Sequence, residues 1–136
     1  MTTWDEIKRQ IAEVPDVRHN SSPEAMIQAS CFEWFNVQYP QYRGLFFAIE
    51  NGGKRPKTTA ARLKKQGVTA GVADTMLAIP TGNCPGLWIE FKTMHGRQSP
   101  AQKDWQERVE SVGYRYTICR SLDEFMNLIK RYLNDK

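Results

Sequence analysis

Two strand-like runs carry the residues best suited to chemistry. The first is Ala73-Asp74-Thr75-Met76-Leu77-Ala78-Ile79 and the second Leu87-Trp88-Ile89-Glu90-Phe91-Lys92. Pro80-Thr81-Gly82-Asn83-Cys84-Pro85-Gly86 between them is dense in turn formers, so the pair reads as an antiparallel hairpin. Counted outward from a turn near Asn83, Asp74 falls opposite the Glu90–Lys92 end. Glu90 and Lys92 are two residues apart and share one strand face, while Ile89 and Phe91 turn to the other, against a core. Two carboxylates and an ammonium thus converge at the open end of a hairpin.

That grouping suits a hard divalent cation and a phosphate. Magnesium prefers octahedral oxygen ligation and keeps several waters, so Asp74, Glu90 and the backbone carbonyl of Phe91 could hold it beside a substrate phosphate. Phosphodiester hydrolysis needs an activated water and neutralised charge on phosphorus, both of which a metal supplies. Lys92 could orient or deprotonate that water, or stabilise developing charge. The alternative is a surface ion pair worth about 0–1 kcal/mol. Glu24, three residues before Ile27 in the first turn of a helix, could face the packed side, or could complement the helix dipole and close a capping box with Ser21. Gln102 has a similar double reading, because in Ser99-x-x-Gln102 it can bond back to the cap. His19 and His95 stand in no metal-binding spacing, and no P-loop, dinucleotide fingerprint or nucleophile elbow occurs.

The net charge of +4 is modest, but its placement is informative. From Asn51 to Ala73 the chain carries Lys54, Arg55, Lys57, Arg62, Lys64 and Lys65 and no acid. Just upstream of the acidic hairpin, such a stretch favours a phosphate backbone as partner over a merely solvated face. Cys31, Cys84 and Cys119 form no CxxC pair, so reduced packing thiols in a cytoplasm are expected, with neither a zinc cluster nor a disulfide framework. The early charged residues do not support secretion, and no apolar run is long enough to span a membrane.

The elements that must position these residues follow from periodicity and caps. Thr3-Trp4-Asp5-Glu6 opens a helix stopped by Pro15, and Ser22-Pro23-Glu24 opens a second whose stripe is Ile27, Cys31, Trp34 and Phe35. Leu45–Ile49 reads as a strand, Asn51-Gly52-Gly53 as a turn, and Thr58–Gln66 as a basic helix ending at Gly67. After the hairpin, Ser99-Pro100 opens a helix with Trp105, Val109 and Val112 inward, Tyr114–Ile118 is a strand, and Ser121-Leu122-Asp123-Glu124 caps a helix burying Phe125, Ile129 and Leu133. The order predicts an α/β sandwich, a mixed sheet of about four strands flanked by helices. Residues 1–22 read as a helical appendage and connector before a main domain at 23–136.

These pieces together resemble the virus-type replication-repair nuclease (VRR-NUC) domain, a branch of the PD-(D/E)XK nuclease superfamily. The pieces run in that family's order: Glu24-x-x-x-Gln28, Asn51-Gly52-Gly53-Lys54-Arg55, Gly71-Val72-Ala73-Asp74, Ile89-Glu90-Phe91-Lys92 and Ser99-Pro100-Ala101-Gln102. Ala73 departs from the proline usual before the aspartate, and a local backbone adjustment is expected there. The resemblance implies that Asp74 and Glu90 hold Mg²⁺ or Mn²⁺, that Lys92 serves the attacking water, and that Glu24 completes or supports the metal site. It implies that Gln102 positions Lys92 or the water, and that Lys54 and Arg55 grip phosphates beside the scissile bond. It further implies a homodimeric, metal-dependent DNA endonuclease of bacterial or phage-infected cytoplasm, selective for branched DNA such as a Holliday junction or flap. A non-catalytic nucleic-acid-binding module and a sequence-specific, restriction-like nuclease are the rival readings.

Overall fold

A computed structural model of the chain describes Thr3 and residues 22–50 and 57–134. Helix α1 (Pro23–Gln38) is capped by Ser22, whose hydroxyl accepts the Ala25 N–H at 3.2 Å, with proline in its first turn. A short 3₁₀ turn at Pro40–Tyr42 leads to strand β1 (Phe46–Ala48). Helix α2 (Lys57–Lys65) ends at Gly67, where φ is +98°. Strands β2 (Thr75–Leu77) and β3 (Leu87–Phe91) form the hairpin, and helix α3 (Pro100–Ser111), strand β4 (Arg115–Cys119) and helix α4 (Leu122–Asn134) complete the order. The expected α/β sandwich is therefore present, with sheet order β1-β2-β3-β4. The β1/β2 and β2/β3 pairs are antiparallel, and β3/β4 is parallel through the α3 crossover. The expected first helix, apart from its opening Thr3, lies outside the described residues, as do the Asn51-Gly52-Gly53 turn, Ser21 and His19.

The two sheet faces meet different partners. Leu87, Ile89 and Phe91 pack with Cys31 and Phe35 of α1 and with Phe125, Ile129 and Tyr132 of α4. Phe46 sits at the centre of this layer, stacked on Phe32 at 4.0 Å and on Phe125 at 5.3 Å between ring centroids. Removing a ring such as Phe125 would cost about 3–5 kcal/mol. The opposite face carries Trp88, Glu90 and Tyr116 beneath α3, where Trp88 meets Trp105 edge-on at 4.8 Å. Val112, expected inward, is 69% exposed, because it is the C-cap just past the last residue of α3 rather than part of its packed face. Tyr132, rather than Leu133, is the fully buried member of α4's last turn. Its hydroxyl donates to the Ile79 carbonyl at 2.6 Å and ties the helix to the hairpin.

Candidate active site

The hairpin brings Asp74 and Glu90 together through a one-residue offset. Thr81 and Cys84 pair across Gly82-Asn83, a two-residue turn in which Gly82 takes φ +52°. Ala78, Ile79 and Pro80 separate β2 from Thr81, whereas only Pro85 and Gly86 separate Cys84 from β3. The register becomes Thr75↔Ile89, so continuing it by one residue sets Asp74 beside Glu90, side chains on one face. Counted straight from the turn, Phe91 would face Asp74 instead. The Phe91 N–H donates to Asp74 Oδ2 at 2.8 Å, fixing that carboxylate against the strand that bears Glu90.

Glu90 is wholly buried, which the sequence pattern did not predict. Its Oε1 accepts the Tyr116 hydroxyl at 2.7 Å, while Oε2 has no hydrogen-bond partner. Burial raises the Glu90 carboxyl above the ordinary range. The Tyr116 hydrogen bond and the Lys92 ammonium oppose that rise, Asp74 adds to it, and Gln98 opposes it. Tyr116 is itself pushed up, first by burial and then by donating to Glu90. Gln98 extends the network, its Nε2 lying 2.9 Å from Gln106 Oε1 and 3.4 Å from the Tyr116 oxygen. Tyr116, Gln98 and Gln106 were missed by sequence reasoning. The one available signal was Tyr116 at an inward position of a strand beside the hairpin.

The first turn of α3 closes one side of the site. Gly71 has φ +86°, and a Cβ there would overlap the carbonyl oxygen of Ala101, so the segment leading to Asp74 lies flat on that turn. Gln102 completes a capping box: its Oε1 accepts the Ser99 N–H at 2.7 Å, and Ser99 Oγ accepts the Gln102 N–H at 3.1 Å. Beyond Lys92, Arg120 Nη1 donates to the carbonyls of Thr93 and Gly96, each at 2.7 Å, pinning the loop in which His95 is exposed. At the start of α4, Glu124 reaches past Ser121 to accept the Arg120 N–H at 2.8 Å.

Asp74, Glu90, Phe91 and Lys92 are thus gathered at one end of the sheet. Glu24 is half-buried at the second position of α1, so it does not close a capping box, and Ser22 is the cap. Among the described residues no group of three or more His, Cys, Asp or Glu side chains is placed to hold a metal, so Glu24 does not join the two acids in this structure. Arg62, Lys64 and Lys65 are exposed on α2, whereas Lys54, Arg55 and the side chain of Lys57 lie outside the described residues. Burial pushes the Cys31 and Cys119 thiols up to about 12, as expected of packing residues. A buried carboxylate oxygen without a hydrogen-bond partner, beside a second carboxylate, is an all-oxygen donor pair that fits a hard divalent cation.

A family model described as the VRR-NUC domain matches residues 22–123. The chain belongs to the VRR-NUC family. A solved structure described as a VRR_NUC domain protein superimposes with a TM-score of 0.70 at 26% identity, covering 85% of this chain and 91% of the other. No protein of curated function matches. The chain therefore carries a domain of a nuclease family, whose substrate class is DNA and whose members generally use divalent metals. Among the described residues no helix is long and apolar enough to cross a membrane.

Proposed function

We propose that this VRR-NUC chain is a metal-dependent DNA endonuclease acting on branched substrates, Holliday junctions or flaps, as a homodimer in the cytoplasm. The observation that carries the reading is the buried, unpartnered Glu90 Oε2 facing the same end of the sheet as Asp74 and Lys92. Asp74, Glu90 and the Phe91 carbonyl would hold Mg²⁺ or Mn²⁺, which when bound supplies charge neutralisation at phosphorus and acidifies water. Lys92 places an ammonium beside Glu90, where it orients the attacking water and balances charge on the phosphate oxygens. Tyr116 holds Glu90 in a single orientation, and Gln98 and Gln106 hold Tyr116. Gln102 already uses its carbonyl oxygen in the cap, which leaves its amide end to position Lys92 or the water. Glu24 supports the site from the first turn of α1. Lys54, Arg55, Lys57, Arg62, Lys64 and Lys65 grip the DNA backbone.

A cleavage assay on labelled four-way junction, flap, splayed arm, linear duplex and single strand, with Mg²⁺, Mn²⁺ or chelator, tests this reading. The expected result is metal-dependent cutting of a branched substrate, lost in Asp74→Ala and in Lys92→Ala while binding of Lys92→Ala persists. Cutting by Lys92→Ala at near the parent rate would overturn its role. Binding of junctions without cutting under any metal would favour a non-catalytic module. Two sites on a symmetric particle suit paired cuts across a junction, so sedimentation equilibrium should return twice the chain mass. A monomer mass at assay concentrations would sink the dimer.

A further inference from the structure

A hollow of about 300 Å³ opens at the edge of the sheet, lined by Leu87, Arg115, Thr117, Leu128, Arg131 and Tyr132. It is distinct from the candidate active site on two counts. Leu87 and Arg115 are register partners on the face packed against α4, opposite the face that carries Glu90. Leu87 also stands at the turn end of β3, about 10 Å along the strand from Glu90. Each arginine has a contact that fixes its place beside the hollow. The Arg115 guanidinium lies 5.7 Å from the centre of the Tyr132 ring, and that ring is fixed in turn by its hydroxyl bond to Ile79. Arg131 Nε donates to the Asn127 carbonyl at 3.3 Å.

Either arginine alone has a local use, Arg115 stacking on Tyr132 and Arg131 complementing the C-terminal end of α4. Both around one hollow, with the Thr117 hydroxyl in its wall, form a donor set of a different kind. Planar guanidinium forks match the spacing of phosphate oxygens, and five N–H donors let each serve more than one partner. We propose that this hollow is a phosphate-binding site, remote from the cleavage centre. Its ligand is either a backbone phosphate on a second arm of the DNA or the phosphate of a free nucleotide or ion. The first source rests on the DNA-cleaving reading above, and the second does not.

The test uses the full chain and the variants Arg115→Gln, Arg131→Gln and the double variant, all in chelator so that the metal site takes no part. Thermal melts with pyrophosphate, and with chloride at matched ionic strength, read the pocket directly. Anisotropy titrations of labelled four-way junction and linear duplex against salt read its share of DNA binding. Pyrophosphate should raise the parent's Tm and leave the double variant's unchanged. If the junction salt slope also falls by about 1 in the double variant, the source is a backbone phosphate. A lost pyrophosphate response with an unchanged slope assigns the pocket to free phosphate. An unchanged pyrophosphate response together with an unchanged slope overturns the proposal. Should the double variant fail to fold, Arg131→Gln decides, since it keeps Arg115 on the Tyr132 ring. Parental values in both measurements for that variant would likewise overturn the site. Junction binding that is absent in the parent too would count against the DNA reading alone, with the pyrophosphate melts still deciding the pocket.

Discussion

Because the Glu90 carboxyl is wholly buried and only one of its oxygens is hydrogen-bonded, its charge is held at a cost to the fold. The sign follows from linkage. A carboxyl raised above its unfolded value binds more protons in the native state, so its contribution to stability is fully present below the unfolded pKa and lost as pH rises through the folded one. Once ionised, Glu90 therefore costs the fold stability. Glu90→Gln keeps the acceptor for Tyr116 and removes the buried charge. It should melt a few degrees above the parent at neutral pH, with the gap closing as pH falls. Mn²⁺ should raise the parent's Tm and leave the variant's alone, while cleavage is lost in the variant. A variant that melts below the parent at neutral pH would show that the charge is compensated in the native state.

At the scale of elements, the site depends on one strand register and one close approach. The strand assignments, caps and helix order were legible in the sequence because alternation and Ser-Pro starts are local signals. The face assignment of Ile89, Phe91 and Glu90 was legible for the same reason. The burial of Glu90 was not, since it depends on α3 folding over Trp88 and on Tyr116 arriving from a parallel strand 26 residues away. Nor was the offset at Ala78-Ile79-Pro80, because turn residues specify a reversal without specifying which arm takes the extra residue. Gly71 is the point at which the element scale can be tested. Its positive φ and its contact with the Ala101 carbonyl both exclude a side chain. Gly71→Ala should lower stability by more than about 1–2 kcal/mol, the cost of the left-handed backbone alone, before the overlap with α3 is counted. It should also reduce cleavage beyond what the lower stability explains, because Asp74 lies three residues on. Parental Tm and rate in that variant would show that the segment relaxes freely and that α3 does not set the position of Asp74.

For the whole molecule, the question is how a chain of net charge +4 directs a strongly charged substrate to one end of a small sheet. Its fifteen acids are spread along the rest of the chain, whereas the stretch from Asn51 to Ala73 carries six basic residues and none. That stretch includes α2, whose Arg62, Lys64 and Lys65 are exposed, and runs directly into the Gly71–Asp74 segment. A duplex seated on α2 would be led along the chain toward the acidic end of the hairpin, where like charge repels phosphate until a cation is bound. Binding and cleavage should consequently separate. The triple variant Arg62→Ala, Lys64→Ala, Lys65→Ala should bind every sequence more weakly in anisotropy titrations. Its log–log salt dependence should be shallower by about 2–3, close to one for each phosphate that the protein no longer neutralises. At saturating protein, its single-turnover cleavage rate should stay near the parent's, since none of the three side chains belongs to the Asp74–Glu90–Lys92 cluster. A rate that falls with an unchanged salt slope would mean that α2 shapes the active site rather than gripping DNA. The electrostatic path to the hairpin would then have to begin upstream of α2.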